Sequence, residues 1–287
     1  MPRMLGAELL KVRKRWMPYV LLLFMVAGAA FQMWVAGYVG WKTDDAEFRD
    51  DALRTFSLPW SLVALLEVGQ FWGAILVGVL VSSAVATEHG WGTVRQALIR
   101  GQTRSQYLTT KLLGVALIAA VSLLLTFGIG VSFSIIATAL ADLPITLDVP
   151  GGPSVLEIGL MVLRAGLGIL PYGLLAFCLT VVGRSTTLGI LGILFYMFGE
   201  AAVVAILGSI GGAAADARIF FIGHNVNALL SANRIGSFDY NAWPTPRELP
   251  VASDLPDPAI AALIIGLYCV AFLAIAFWVF RRRDIGA

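Results

Sequence analysis

The run from Leu112 to Leu140 holds 29 residues without a single charge. A bilayer core takes about 20 apolar residues in a helix. Only helices and closed barrels satisfy their own backbone polar groups in lipid. The run is continuously apolar rather than alternating, which reads as a helix. Comparable runs recur along the chain. Of the 287 residues, 59% are hydrophobic and 13% charged, whereas a soluble domain carries roughly 25% charged residues. These observations predict an all-α polytopic membrane protein, with one transmembrane domain occupying residues 1–287.

Six spans follow from the apolar runs: about 18–38, 69–87, 112–138, 155–182, 187–210 and 259–280. Residues 1–16 read as an interfacial helix, because Leu5, Leu9, Leu10 and Val12 alternate with Glu8, Lys11, Arg13, Lys14 and Arg15, a pattern that lies along an anionic leaflet. The apolar stretch after it is longer than a signal-peptide core, so no cleavable signal is expected. The second run extends from Leu58 to Thr87. Starting its span at Gly69 places Glu67 at the outer surface, where a charge is cheaper. Gly69 and Gly73 form a small-xxx-small pair suited to close helix packing. The turn Gly183-Arg184-Ser185-Thr186 joins the fourth and fifth spans. The 211–258 segment mixes polar residues with short apolar runs such as Val226 to Leu230, which suit short helices on the membrane surface. Cys178 and Cys269 lie in apolar segments and read as small buried hydrophobes.

Cytoplasmic loops carry the excess of Lys and Arg. The side holding both termini has thirteen of the twenty, the other side six, and Arg164 is intramembrane. Both termini are therefore expected in the cytoplasm, together with the 88–111 segment, and 211–258 outside. This describes a multi-pass protein of the plasma membrane.

Residues 88–111 are the longest polar run on the basic side. They contain two capping-box patterns, Thr93 with Gln96 and Thr103 with Gln106, each able to start a helix. Gly101 between them suits a left-handed bend. The segment reads as helix, bend, helix; a surface lying on headgroups and a docking site for a partner both fit it.

Catalytic patterns are missing. There is no HExxH, no cysteine spacing for a metal, and no Gly-x-x-x-x-Gly-Lys-Ser/Thr phosphate loop. His89 and His224 fall on opposite sides of the membrane. The chain is expected not to be an enzyme and to hold no cofactor, metal or nucleic acid. Arg164 and Glu200 are the intramembrane polar residues. Either they serve a translocation path or gate, or they are structural, as a direct ion pair or as a Glu bonded to a neighbouring helix.

Glu88, Gly92-Thr93, Arg95, Leu98, Arg104 and Lys111, with the ending Phe280-Arg281-Arg282-Arg283-Asp284-Ile285, resemble the ABC-2-type transporter permease family. Many members carry a proline before the later Arg; here Gly101-Gln102-Thr103 stands in its place. The resemblance implies the membrane-spanning subunit of an ATP-driven exporter, working as a homodimer or heterodimer with separate ATP-binding subunits that hold ATP and Mg. It implies that Glu88, Gly92, Thr93, Arg95, Leu98 and Arg104 couple the spans to that ATPase. It also implies short re-entrant helices in 211–258. A secondary transporter or channel without an ATPase, and a non-transporting membrane scaffold or immunity protein, are the alternatives from other classes.

Overall fold

The computed structural model describes residues 2–43, 49, 52–53, 55–90, 99, 101, 103–147, 153–233 and 255–282. Every regular element among them is helical. An amphipathic helix α1 (Pro2–Arg13) precedes α2 (Trp16–Ala30), which continues as a π-helix over Phe31–Val39. Then come α3 (Ser61–Gly90), α4 (Arg104–Leu140), α5 (Val155–Gly183) and α6 (Thr186–Ile210). Two short pieces, α7 (Gly212–Asp216) and a 3₁₀ turn (Ala217–Phe220), lead into α8 (Ile222–Ser231), and α9 (Pro258–Arg282) completes the bundle. Six of these segments are long and apolar enough to cross a membrane: Trp16–Val39, Ser61–Thr87, Arg104–Leu140, Val155–Gly183, Thr186–Ile210 and Pro258–Arg282. The chain is an integral membrane protein by this architecture.

Helix α5 is the central element. Of its most apolar 18-residue window 67% is buried, against 39% or less for the other five. Helices α3, α6, α8 and α9 all pack on it. Helix α4 lies at the opposite extreme. Leu113, Leu117, Val121 and Leu124 are exposed at helical spacing, which is the stripe a lipid-facing helix presents. Helix α5 starts at a capping box, with Glu157 N bonded to Ser154 Oγ at 3.2 Å and Ser154 N to Glu157 Oε2 at 2.6 Å. It stops at Arg184, whose φ of +50° turns the chain into α6. Ser185 then caps α6 by accepting from Leu188 N.

The helix that carries the second span starts at Ser61, ahead of the expected span start at Gly69. Leu62, Leu65 and Leu66 are buried, at the i, i+3, i+4 spacing of one helix face, whereas Glu67 is exposed on another. The helix therefore passes through the carboxylate without a break. The glycine pair is also only half used. A Cβ on Gly73 would stand 2.8 Å from Ile169 Cδ1, but Gly69 faces open space.

The end of the bundle opposite the termini is tied by one residue of the connecting loop. Phe56 is fully buried among Ala29, Met33, Leu65 and Ala137. Its carbonyl accepts from Ser134 Oγ at 2.7 Å, and Ser134 Oγ lies 2.7 Å from Ser61 Oγ. Gln32, in the π-helical stretch, donates to the Ala64 carbonyl at 2.9 Å. Cys178 and Cys269 are free and buried, in separate apolar clusters.

Candidate functional site

Helix α8 is the polar centre of the bundle. Seven of its ten residues are buried: Ile222, His224, Asn225, Val226, Ala228, Leu229 and Leu230. A short buried helix has amides at one end and carbonyls at the other without intrahelical partners. In this protein two charged side chains from the neighbouring spans supply them. Glu200, 6% exposed on α6, accepts from the backbone N–H of Gly223 through Oε1. Arg164, on α5, donates to the Ala232 carbonyl at 3.0 Å and to Asn233 Oδ1 at 3.3 Å. A carboxylate thus sits at the amino end and a guanidinium at the carboxyl end, the arrangement that complements the helix dipole.

These contacts answer where the two intramembrane charges go. Ten residues rising 1.5 Å each separate the two ends of α8 by about 15 Å. Arg164 and Glu200 are therefore not a direct ion pair; each bonds one end of the same helix, and Glu200 Oε2 has no hydrogen-bond partner among the described residues.

Tyrosines close the amino end. Tyr196 Oη takes the Ile222 N–H at 3.5 Å. Tyr268, from α9, donates to the Phe220 carbonyl at 2.5 Å. Asn225 holds the preceding turn through Nδ2, which donates to the Ile219 and Phe221 carbonyls at 2.6 and 2.7 Å. Close approach depends on Gly168 of α5: a Cβ there would meet Val226 Cγ1 at 3.0 Å and Gln70 Cγ at 3.2 Å. Gln70 in turn donates to the Gly168 carbonyl at 3.3 Å. Sequence reasoning missed Tyr196, Tyr268, Asn225 and Asn233. The available signal was the spacing of Ile222, Val226, Leu229 and Leu230, a helical apolar face inside a segment that otherwise reads as polar.

A second polar assembly occupies the end of the bundle that carries both termini. Gly101 has φ +88°, the left-handed bend expected there. The second capping box is formed: Gln106 N bonds Thr103 Oγ1 at 3.2 Å, and Thr103 N bonds Gln106 Oε1 at 3.1 Å. Arg104 donates to the carbonyls of Phe280 and Arg281 at 3.4 and 2.6 Å. Arg281 answers with two bonds to Ser105 Oγ, at 3.1 and 2.7 Å. The Tyr107 and Phe280 rings stack with centroids 5.8 Å apart and planes 12° apart. Arg104, read from sequence as facing a partner, thus bonds the terminal carbonyls of α9. Gly92, Thr93, Arg95 and Leu98, the side chain of Glu88, and the first capping box at Thr93 lie outside the described residues.

Replacing Thr103 by Ala removes the acceptor for the Gln106 amide. The expected loss is about 1 kcal/mol, read as a lower unfolding midpoint with faster amide exchange confined to the first turn of α4. Unchanged exchange there would mean that the box does not hold that turn.

Neither assembly resembles a reaction centre. Among the described residues no three His, Cys, Asp or Glu side chains gather to hold a metal. What both assemblies do is mechanical: each fixes one helix end to another by charge-assisted bonds. A family model described as "Protein of unknown function (DUF2705)" matches residues 62–286, from the second residue of α3 to the penultimate residue of the chain. No curated protein matches the sequence. By the extent of that match, the chain belongs to the DUF2705 family of proteins of unknown function.

Proposed function

We propose that this chain is the membrane-spanning permease subunit of an ATP-driven ABC-2-type exporter in the plasma membrane, with both termini cytoplasmic. It works as a dimer with separate ATP-binding subunits that dock on residues 88–111. The observation that carries the reading is the clasp between α4 and α9. Arg104 lies inside the docking segment and bonds the last carbonyls of α9. A push on the segment therefore reaches the third and sixth spans together. Helix α9 packs along α8, so the same push is passed to the buried helix held by Arg164 and Glu200. In this scheme α8 is a helix dipping back between the fifth and sixth spans. It closes the outer exit, and ATP shifts the population of open and closed states through its differential binding to them. Arg95 meets the ATPase and Arg104 transmits the load within the chain.

The test is Arg95→Glu, studied with an ATP-binding-cassette protein found encoded in a neighbouring reading frame or captured with the native chain. The expected result is a fall of about 10-fold or more in permease-stimulated ATP hydrolysis, the size of one lost charged contact at an interface, with membrane insertion and the unfolding midpoint unchanged. Arg104→Gln lowers the midpoint as well, because it opens the clasp. Full stimulation by the Arg95→Glu chain would remove the docking assignment, and no association with any ATP-binding subunit would remove the permease reading.

A further inference from the structure

We propose that the corner where α1 ends, α4 begins and α9 ends is a headgroup site for an anionic phospholipid. The tertiary structure brings three distant stretches together there. Val12 is buried in one apolar cluster with Tyr107, Leu108 and Phe280. Its neighbours Arg13, Lys14 and Arg15 therefore flank the same corner as Arg104, Arg281 and Arg282. No Asp or Glu occurs in residues 9–15, 103–111 or 276–282. Arg104 and Arg281 are engaged in the clasp, and Arg282 lies over the Trp278 ring at 4.7 Å. The side chains of Arg13, Lys14 and Arg15 meet no bonding partner among the described residues, and Arg13 and Lys14 are exposed.

The medium that meets this patch is readable from what lies between the cations. Leu10 is 56% exposed, Trp16 84% and Trp278 55%. Exposed indole and leucine side chains next to free guanidinium and ammonium groups suit the boundary between acyl chains and headgroups, where aromatic rings anchor and basic residues meet lipid phosphate. A phosphodiester headgroup with net negative charge complements the patch; a zwitterionic headgroup offers less. Lipid held here touches α1, and through Val12 the cluster that joins α4 to α9.

The experiment uses the full chain alone in phosphatidylcholine vesicles containing trace spin-labelled phosphatidylglycerol or spin-labelled phosphatidylcholine, so its outcome is separate from that of the permease reading. The expected result is that phosphatidylglycerol associates about 5-fold more strongly, the order of one well-placed cation at an anionic surface. The Arg13→Gln, Lys14→Gln, Arg15→Gln chain brings the ratio close to one, while the charge-conserving Arg13→Lys, Lys14→Arg, Arg15→Lys chain keeps it. Equal association of both lipids with the native chain overturns the proposal. So does a neutralised chain that keeps the lipid preference, and if that chain also stops capturing the ATP-binding subunit, the corner is a protein interface.

Discussion

Replacing Glu200 by Ala is expected to free the amino end of α8 and lower the stability of the chain by about 2–3 kcal/mol, the scale for buried donors that lose a charged acceptor. The N–H of Gly223 points at this carboxylate, and Glu200 is 6% exposed, so its loss leaves that donor buried. Glu200→Gln keeps an acceptor oxygen in place and should lose about half as much, by the lower strength of an uncharged acceptor. Arg164→Met retains the aliphatic stem but leaves the Ala232 carbonyl and Asn233 Oδ1 without their donor. Because both residues hold one helix, the double variant Glu200→Ala, Arg164→Met is expected to lose less than the two single losses together, with a coupling of about 1 kcal/mol. The exchanged chain Arg164→Glu, Glu200→Arg should not recover: each charge would face the wrong end of the α8 dipole. Unfolding midpoints in detergent, with amide exchange over residues 222–231, read all of these. Recovery in the exchanged chain would restore a direct ion pair, and strict additivity would mean that the two ends of α8 act independently.

Gly189 is where the second large effect is expected. It lies on α6, where that helix crosses both α3 and α5. A Cβ on Gly189 would stand 2.0 Å from Thr180 Oγ1, 2.3 Å from Ser82 Oγ and 2.9 Å from Ser82 Cβ. Thr180 cannot easily turn away, because its hydroxyl donates to the Ala176 carbonyl at 2.7 Å and the residue is fully buried. Ser82 Oγ has no hydrogen-bond partner among the described residues, so Thr180 is the firmer wall. Gly189→Ala must therefore push α6 outward, at about 2–3 kcal/mol for an overpacked site, and Gly189→Val should prevent a stable bundle. Gly199 supplies the control on the same helix. Nothing lies within 4 Å of its Cβ position, so Gly199→Ala should be neutral or slightly stabilising through helix propensity. Adding Thr180→Ala to Gly189→Ala removes the nearest atom and should return part of the loss. A Gly189→Ala chain as stable as the native one would show that the three helices do not meet closely there.

The two charged residues in the membrane illustrate how much of the site could be read before the fold was seen. Their cost in lipid marked Arg164 and Glu200 as groups that need partners. The sequence offered each to the other, or Glu200 to a neighbouring helix, and the second of these is what Gly223 N provides. Apart from Asn233 Oδ1, their partners are backbone groups at the ends of α8, and backbone groups carry no sequence signature. Arg104 presents the same difficulty. A basic residue in a polar loop invites an external partner, yet its guanidinium reaches carbonyls 176 and 177 residues further along the chain. Signals that depend on near neighbours fared better. The Thr103–Gln106 box and the left-handed Gly101 are local geometry, and both are present.

Where the chain can cross an apolar medium was legible in its residues alone. An uncharged run of helical length has no other low-energy state in lipid, so the six spans follow from composition along the chain and stand within a few residues of the helices, apart from the α3 start and the long first turns of α4. Which helix is central, which glycines are in contact and what the buried charges hold emerged from the packing of the helices. Those properties depend on the rotation of each helix about its axis and on contacts between residues far apart in the chain. An apolar run that is hydrophobic on every side leaves that rotation open, and the packing of α3, α6, α8 and α9 around α5 settles it.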